Sequence, residues 1–138
     1  MKSRESLIRL KRFQVDEKRR QVHQIETMIA EFARMADELD AQIAAEQERT
    51  GISDAAHYAY STFAKAAMQR RDNLKASAEE LRGQYDAAQD DLAEAVEELK
   101  RFELLDEREQ EKAREAAASI EQAELDEVAR RRRGFVIG

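Results

Sequence analysis

The sequence predicts an all-α fold: a long antiparallel two-helix coiled coil, a helical hairpin whose second helix is longer than its first. Three observations predict it. Charged residues make up 39% of the chain and aromatic residues 6%, and Pro is absent. Apolar residues recur every seven positions in two stretches that are separated by a break near Gly51. The charges that flank the two stretches have opposite signs, which favours pairing within one chain.

The composition suits long helices, because a long helix needs only a thin apolar stripe with charged side chains around it. Low hydropathy also occurs in disordered chains, but those are usually rich in Pro, Gly and Ser. This chain of 138 residues has only four Gly and no Pro. We therefore expect a helical chain, and its length fits a single domain over residues 1–138.

The first helix is predicted over residues 3–48, where one apolar series has a strict seven-residue spacing. Such a spacing keeps one seam on a partner helix and indicates a left-handed supercoil. Leu10 and Phe13 lie off this seam, and Gly51 is expected to end the helix. The series consists of Ile8, Val15, Val22, Ile29, Ala36 and Ile43, and the second core position holds Ile25, Phe32 and Leu39.

A turn is predicted over residues 49–62 and a second helix over 63–132, followed by a short basic and apolar tail, 133–138. A start of the second helix at Asp54 is the alternative, with Ser53 or Asp54 as its cap. The second helix also carries two apolar series. They are Tyr60, Ala67, Leu74, Leu81, Ala88, Ala95 and Phe102, and Ala78, Tyr85, Leu92 and Leu99.

Charge supports the antiparallel orientation. Residues 1–20 hold eight basic and three acidic side chains, a net charge of +5, whereas residues 86–98 hold six acidic and no basic ones. A hairpin that turns near Gly51 brings these two regions together, while a parallel dimer of first helices would not. Residues 108–132 have no partner helix in this arrangement.

The sequence offers no catalytic or metal-binding pattern, so we expect a protein that is not an enzyme and has no cofactor. Cys is absent, and the two His, His23 and His57, have no ligand neighbours at metal-binding spacing. The first 20 residues lack the apolar core of a signal peptide, and no stretch approaches the roughly 20 apolar residues of a membrane span. These features favour a soluble, cytoplasmic protein.

Two groups of residues stand out as candidate binding surfaces. Basic clusters near both ends are either solvated, paired with the chain's own acids, or bound to an acidic protein surface. Nucleic-acid binding is disfavoured, because the whole chain carries a charge of −6. Tyr58, Tyr60 and Phe63 crowd the predicted turn, where they form either a small local core or a docking surface.

The chain resembles the FliJ-type export protein of the bacterial flagellar type III secretion apparatus in two sequence segments and in its total length. The segments are SLIRLKRFQVDEKRRQVHQIE at the start and GISDAAHYAYSTFAKAAMQRRDNL at the break. The resemblance implies an antiparallel coiled coil similar to the central stalk of rotary ATPases. It further implies a protein that inserts into the hexameric export ATPase ring, promotes its assembly and activity, couples it to the cytoplasmic domain of the export gate, and handles empty export chaperones.

The resemblance also implies residue roles. It places gate binding on a stripe at the start of the second helix, formed by Tyr60, Phe63, Ala67, Arg70 and Leu74. Ala67 and Arg70 depart from the larger or more apolar residues that the family's pattern leads us to expect. It places the ATPase ring at the terminal end of the coil, where the basic residues are Arg9, Lys11, Arg12, Lys18, Arg19, Arg20, Arg130, Arg131, Arg132 and Arg133.

The resemblance implies a cytoplasmic protein at the flagellar base, peripheral to the inner membrane only through its partners, with a role in bacterial motility. A coiled-coil scaffold or chaperone in another cytoplasmic assembly is the alternative. A rod that binds nucleic acid is a third possibility, which salt-sensitive binding to DNA of any sequence would reveal.

Overall fold

A computed structural model describes residues 2–137, and in this range the chain forms two helices and no strand. Helix α1 spans Lys2–Thr50 and helix α2 spans Thr62–Ile137, with 49 and 76 residues. The two helices pack against each other as a hairpin, so the predicted all-α fold with a longer second helix is confirmed. Helix α2 continues beyond the expected end near residue 132. Most of the predicted tail, 133–138, is therefore helical, and Gly138 lies outside the described residues.

Gly51 directly follows the last residue of α1, as the sequence predicts. Its φ of +72° lies in the left-handed region that favours glycine, and its N–H donates to the Gln47 carbonyl oxygen at 2.9 Å. A Cβ at this position would meet no atom within 4 Å. A larger residue would therefore be disfavoured by backbone strain and not by a clash.

Helix α2 is capped by Ser61, and the prediction that Ser53 or Asp54 caps it is wrong. The Ser61 hydroxyl accepts a hydrogen bond from the Ala64 N–H at 3.2 Å, as an N-cap does. Asp54 instead shapes the turn, where its carboxylate accepts from the Ala56 N–H and its carbonyl oxygen from the His57 N–H. Asp54 therefore stabilises the turn, eight residues before Thr62, where α2 begins.

The chain divides into two compact units. The turn unit is Phe13–Ala95, and the terminal unit combines Met1–Arg12 with Val96–Gly138. In the turn unit the helices meet along the predicted seam. Its buried residues are Val15, Val22, Ala36, Leu39, Ile43, Tyr60, Ala64, Ala67, Ala78, Leu81 and Ala88. Phe32 is only half-buried, because it borders a groove beside the small side chains of Ala36 and Ala78.

Within the turn unit, polar contacts between α1 and α2 fix the antiparallel orientation of the two helices. Arg71 donates to Asp40 at 2.9 Å, and the Tyr85 hydroxyl donates to Glu26 at 2.8 Å. Lys18 lies 4.0 Å from Asp91. Later residues of α1 therefore face earlier residues of α2, as the charge pattern predicted.

In the terminal unit, the start of α1 pairs with a central part of α2. Ile8 is buried, and Lys11 lies 2.8 Å from Glu98 with its ammonium 5.5 Å from the centre of the Phe102 ring. Arg4 forms ion pairs with Asp106 and Glu109. Glu98 is the last residue of the acidic stretch 86–98, which the sequence predicts to face the N-terminal cations. Asp106 and Glu109 lie beyond that stretch, towards the C-terminus.

Candidate partner-binding surfaces

A hydrogen-bond network joins the two helices at the turn. The Ser61 hydroxyl donates to Glu46 at 2.9 Å, and Arg49 forms an ion pair with the same carboxylate. Beside it, Gln47 donates to the Tyr60 hydroxyl at 2.9 Å, and that hydroxyl lies 3.4 Å from the Met68 sulfur. The network holds the end of α1 against the start of α2 and fixes the conformation of the turn.

The Glu46 carboxylate makes this network sensitive to acid. Hydrogen bonds from Arg49 and Ser61 hold the pKa of Glu46 below its ordinary value of 4.5. A carboxyl whose pKa is lower in the folded than in the unfolded state stabilises the fold above the unfolded pKa, and this stabilisation is lost as the pH falls through the folded pKa.

Glu46→Gln is therefore expected to lower the melting temperature near pH 7, with the difference from wild type vanishing at a pH well below 4.5. Thermal unfolding followed by circular dichroism over a pH series measures this. Glu48→Gln is the matched control, because Glu48 is exposed and forms no ion pair with another described residue. A Glu46→Gln difference that persists unchanged in acid would contradict the role given to the carboxylate.

The predicted gate stripe begins in the turn at Tyr60 and continues along α2, and its residues divide between the buried seam and the exposed surface. Tyr60 and Ala67 are buried in the seam, and Leu74 is half-buried against it. Phe63, with 55% of its surface exposed, and Arg70 lie outside the seam. The positions that alternate with Tyr60 and Ala67 along the seam are Ala64 and Arg71, so only Phe63 and Arg70 of the stripe lie open to a partner.

Tyr58 is an exposed aromatic residue of the turn. The sequence alone leaves open whether it belongs to a local core or to a docking surface. Its side chain is 96% exposed, and its ring stacks on His57 with the ring centres 4.7 Å apart. The three aromatic residues near the turn therefore differ in whether they are buried in a local core or exposed. Tyr60 belongs to the local core, whereas Tyr58 and Phe63 are open.

Most of the predicted ring-binding cations near the N-terminus already have acidic partners. Within the terminal unit, Lys11 pairs with Glu98, and Arg12 lies 3.7 Å from Glu103. Within the turn unit the pairs are Lys18 with Asp91, Arg19 with Asp16, and Arg20 with Glu17. Arg9 is exposed and forms no ion pair with another described residue. The net positive charge of this region is thus largely compensated.

The C-terminal part of α2 has no partner helix among the described residues. From residue 107 to residue 134, every side chain is exposed except Glu127, which is half-buried. Glu127 pairs with Arg130 and lies 3.4 Å from Arg131, so these two arginines have an acidic partner on their own helix. Arg132 and Arg133 are exposed and form no ion pair within residues 2–137.

The described residues contain neither a metal-binding cluster nor a helix that could span a membrane. No group of three His, Cys, Asp or Glu side chains in this part of the chain is placed to hold a metal ion. Neither helix, as far as the structure describes it, contains a stretch long and apolar enough to cross a bilayer. Two surfaces are candidates for partner binding: the exposed aromatic residues Tyr58 and Phe63, and the C-terminal part of α2 with Arg130–Arg133.

Comparison with known proteins supports the sequence resemblance. The family described as "Flagellar FliJ protein" matches residues 2–134, which is nearly the whole chain. Searches of curated proteins and of solved structures found no match. The match covers both helices and the turn, and with it the resemblance is confirmed. The chain belongs to the flagellar FliJ protein family and is thereby a component of flagellar protein export.

Proposed function

We propose that the protein is a non-enzymatic, cytoplasmic stalk of the flagellar export apparatus. In this role it binds the hexameric export ATPase ring and stimulates it, couples the ring to the cytoplasmic domain of the export gate, and handles export chaperones. It reaches the inner membrane at the flagellar base only through these partners. The family match supports the place of the protein in export, and the exposed surfaces of the chain support the ATPase and gate roles.

The end of α2 is the observation that carries the ATPase role. Residues 107–134 form an exposed part of α2, and four consecutive arginines, Arg130–Arg133, lie near its C-terminal end. Successive residues of an α-helix are about 100° apart around its axis. The four side chains therefore leave the helix in all directions, and no single flat surface can meet them together.

A partner that surrounds the helix fits this distribution better than a flat one does. A ring whose opening is lined by acidic or carbonyl groups would meet all four guanidinium groups at once, and arginine forms strong hydrogen bonds to carboxylates. Arg130 and Arg131 pair with Glu127, whereas Arg132 and Arg133 form no ion pair within residues 2–137. The N-terminal cations suit this role less well, because five of them pair with acids and those on the start of α1 also lie against α2. We therefore assign the leading contact to Arg130–Arg133 and a supporting one to Arg9.

The gate contact is assigned to the turn unit. Phe63 is exposed on the first turn of α2, and Arg70 follows two turns later on the outer surface. Exposed aromatic side chains commonly provide the strongest contacts of an interface. The buried residues Tyr60 and Ala67 support this surface from within.

Hydrolysis by the purified export ATPase tests the proposal. Added wild-type protein is expected to raise the rate of ATP hydrolysis and the fraction of ATPase in hexamers, which light scattering measures in parallel. Serum albumin at the same concentration controls for crowding. A rate and an assembly state that do not change at any concentration of the protein would refute the stalk role and favour a scaffold in another assembly.

A further inference from the structure

We propose that the middle of the turn unit is a built-in weak section, at which α1 and α2 separate locally while the turn stays closed. The weak section consists of residues 27–37 of α1 and residues 75–84 of α2, which lie opposite each other in the hairpin. Small buried residues, an open groove, a lack of polar contacts between the helices and a glycine inside α2 coincide there. Local separation is a property of the free protein and requires no export partner.

The seam of the weak section is built mainly from small side chains. Ala36 and Ala78 are buried where the two helices meet, and Leu81 is the one larger side chain buried in this section. Phe32 lies at a seam position but is only half-buried. Because the hydrophobic free energy follows the apolar area removed from water, the two helices are held together less strongly here than at the buried cluster around Leu39.

A groove runs along one side of the weak section. Its two parts have volumes of about 350 and 520 Å³, and both are lined by Glu79 and Arg82. The α1 wall of the groove carries Ala30 and Ala33, whose side chains are too short to cover the apolar floor beside Phe32. Solvent therefore reaches the seam from this side without displacing packed side chains.

Polar contacts between the helices lie on both sides of the weak section and not within it. Arg71 donates to Asp40 on the side of the turn, and Tyr85 donates to Glu26 on the other side. Among the described residues, no hydrogen bond or ion pair joins α1 to α2 inside the weak section. The helices can thus separate there without breaking a polar contact, while the Asp40 pair and the turn network stay closed.

Gly83 further weakens α2 in this section. Glycine is among the least favourable residues in the interior of a helix. No close approach of the two helices requires it, because a Cβ at this position would meet no atom within 4 Å. Gly83 therefore makes local opening of α2 easier without improving the packing of the hairpin.

Hydrogen–deuterium exchange of the full-length protein, followed by mass spectrometry, tests the inference. Amides of the weak section are expected to exchange about tenfold or more faster than those of residues 38–46 and 66–74, because segments with few buried apolar contacts open at lower free energy. All of these amides belong to the turn unit and lie inside its helices. Exchange of the weak section at the rate of the two flanking segments, or more slowly, would overturn the inference.

Ala33→Leu tests whether the groove is the cause of the weakness. Ala33 is exposed on the groove wall, so a leucine can extend over the floor without entering the packed seam. Filling the groove is expected to slow exchange of the weak section about fivefold, as cavity-filling substitutions commonly stabilise packing.

Ala44→Leu is the matched control, because Ala44 is also an exposed alanine of α1 in the turn unit but lies outside the weak section. The change in helix propensity is the same in both variants. Ala44→Leu should leave exchange of the weak section as in wild type. Equal slowing by the two variants, or no slowing by Ala33→Leu, would overturn the role given to the groove.

Discussion

Leu39→Ala is expected to lower the free energy of unfolding by about 3 kcal/mol, the typical cost of truncating a buried leucine. Leu39 is 8% exposed and belongs to a buried cluster with Ile43 and Ala67. Removing its isobutyl group leaves a cavity between the two helices, which the neighbouring Ala67 is too small to fill. Urea unfolding monitored by circular dichroism measures the change.

Leu125→Ala provides the matched control for this change. Leu125 is 57% exposed on the part of α2 that has no partner helix among the described residues. Its truncation removes few contacts, and Ala is at least as good a helix former as Leu, so the expected change is within about 0.5 kcal/mol. Equal destabilisation by the two variants would contradict a seam centred on Leu39.

Changing Arg130–Arg133 to Gln is expected to reduce stimulation of the export ATPase about tenfold or more at low salt. Opposite charges on two partners accelerate their association by this order or more. The difference from wild type should shrink as salt rises, since the screening length falls to about 8 Å at physiological ionic strength. Gln keeps the helix propensity close to that of Arg, so helix formation is not the variable tested.

A second variant removes the same number of positive charges from α1. Lys11, Arg12, Lys18 and Arg20 are changed to Gln, and each of them already has an acidic partner. This control should lower stimulation less than the arginine variant does. If the Arg130–Arg133 variant stimulated the ATPase as wild type does at every salt concentration, the proposed contact would be refuted.

The seven-residue spacing predicted the seam because burial in a coiled coil depends mainly on position in the repeat. The predicted gate stripe, by contrast, takes the residues three positions after Tyr60 and Ala67, which are Phe63 and Arg70. The seam takes the residues four positions after them, which are Ala64 and Arg71. The second apolar series of α2, extended towards the N-terminus in steps of seven residues from Ala78, passes through Arg71 and Ala64. The sequence therefore contains the pattern that predicts these two seam positions.

The remaining features depend on three-dimensional geometry. Tyr58 and Tyr60 are two residues apart in a segment without helical periodicity, and only the fold of the turn makes one exposed and the other buried. The acidic partners of the α1 cations depend on the stagger of the two helices. That stagger is set by where α1 ends and α2 begins, and the start of α2 was predicted with an alternative at Asp54.

Site-specific cross-linking tests the central claim, that the exposed end of α2 enters the ATPase ring. The chain has no Cys, so each variant carries a single thiol for a photoactivatable cross-linker. Ala117→Cys lies on the part of α2 without a partner helix among the described residues, and Ala87→Cys lies on an exposed position of the turn unit. Cross-links to the ATPase are expected from Ala117→Cys and not from Ala87→Cys. Cross-links from Ala87→Cys with none from Ala117→Cys would contradict the claim.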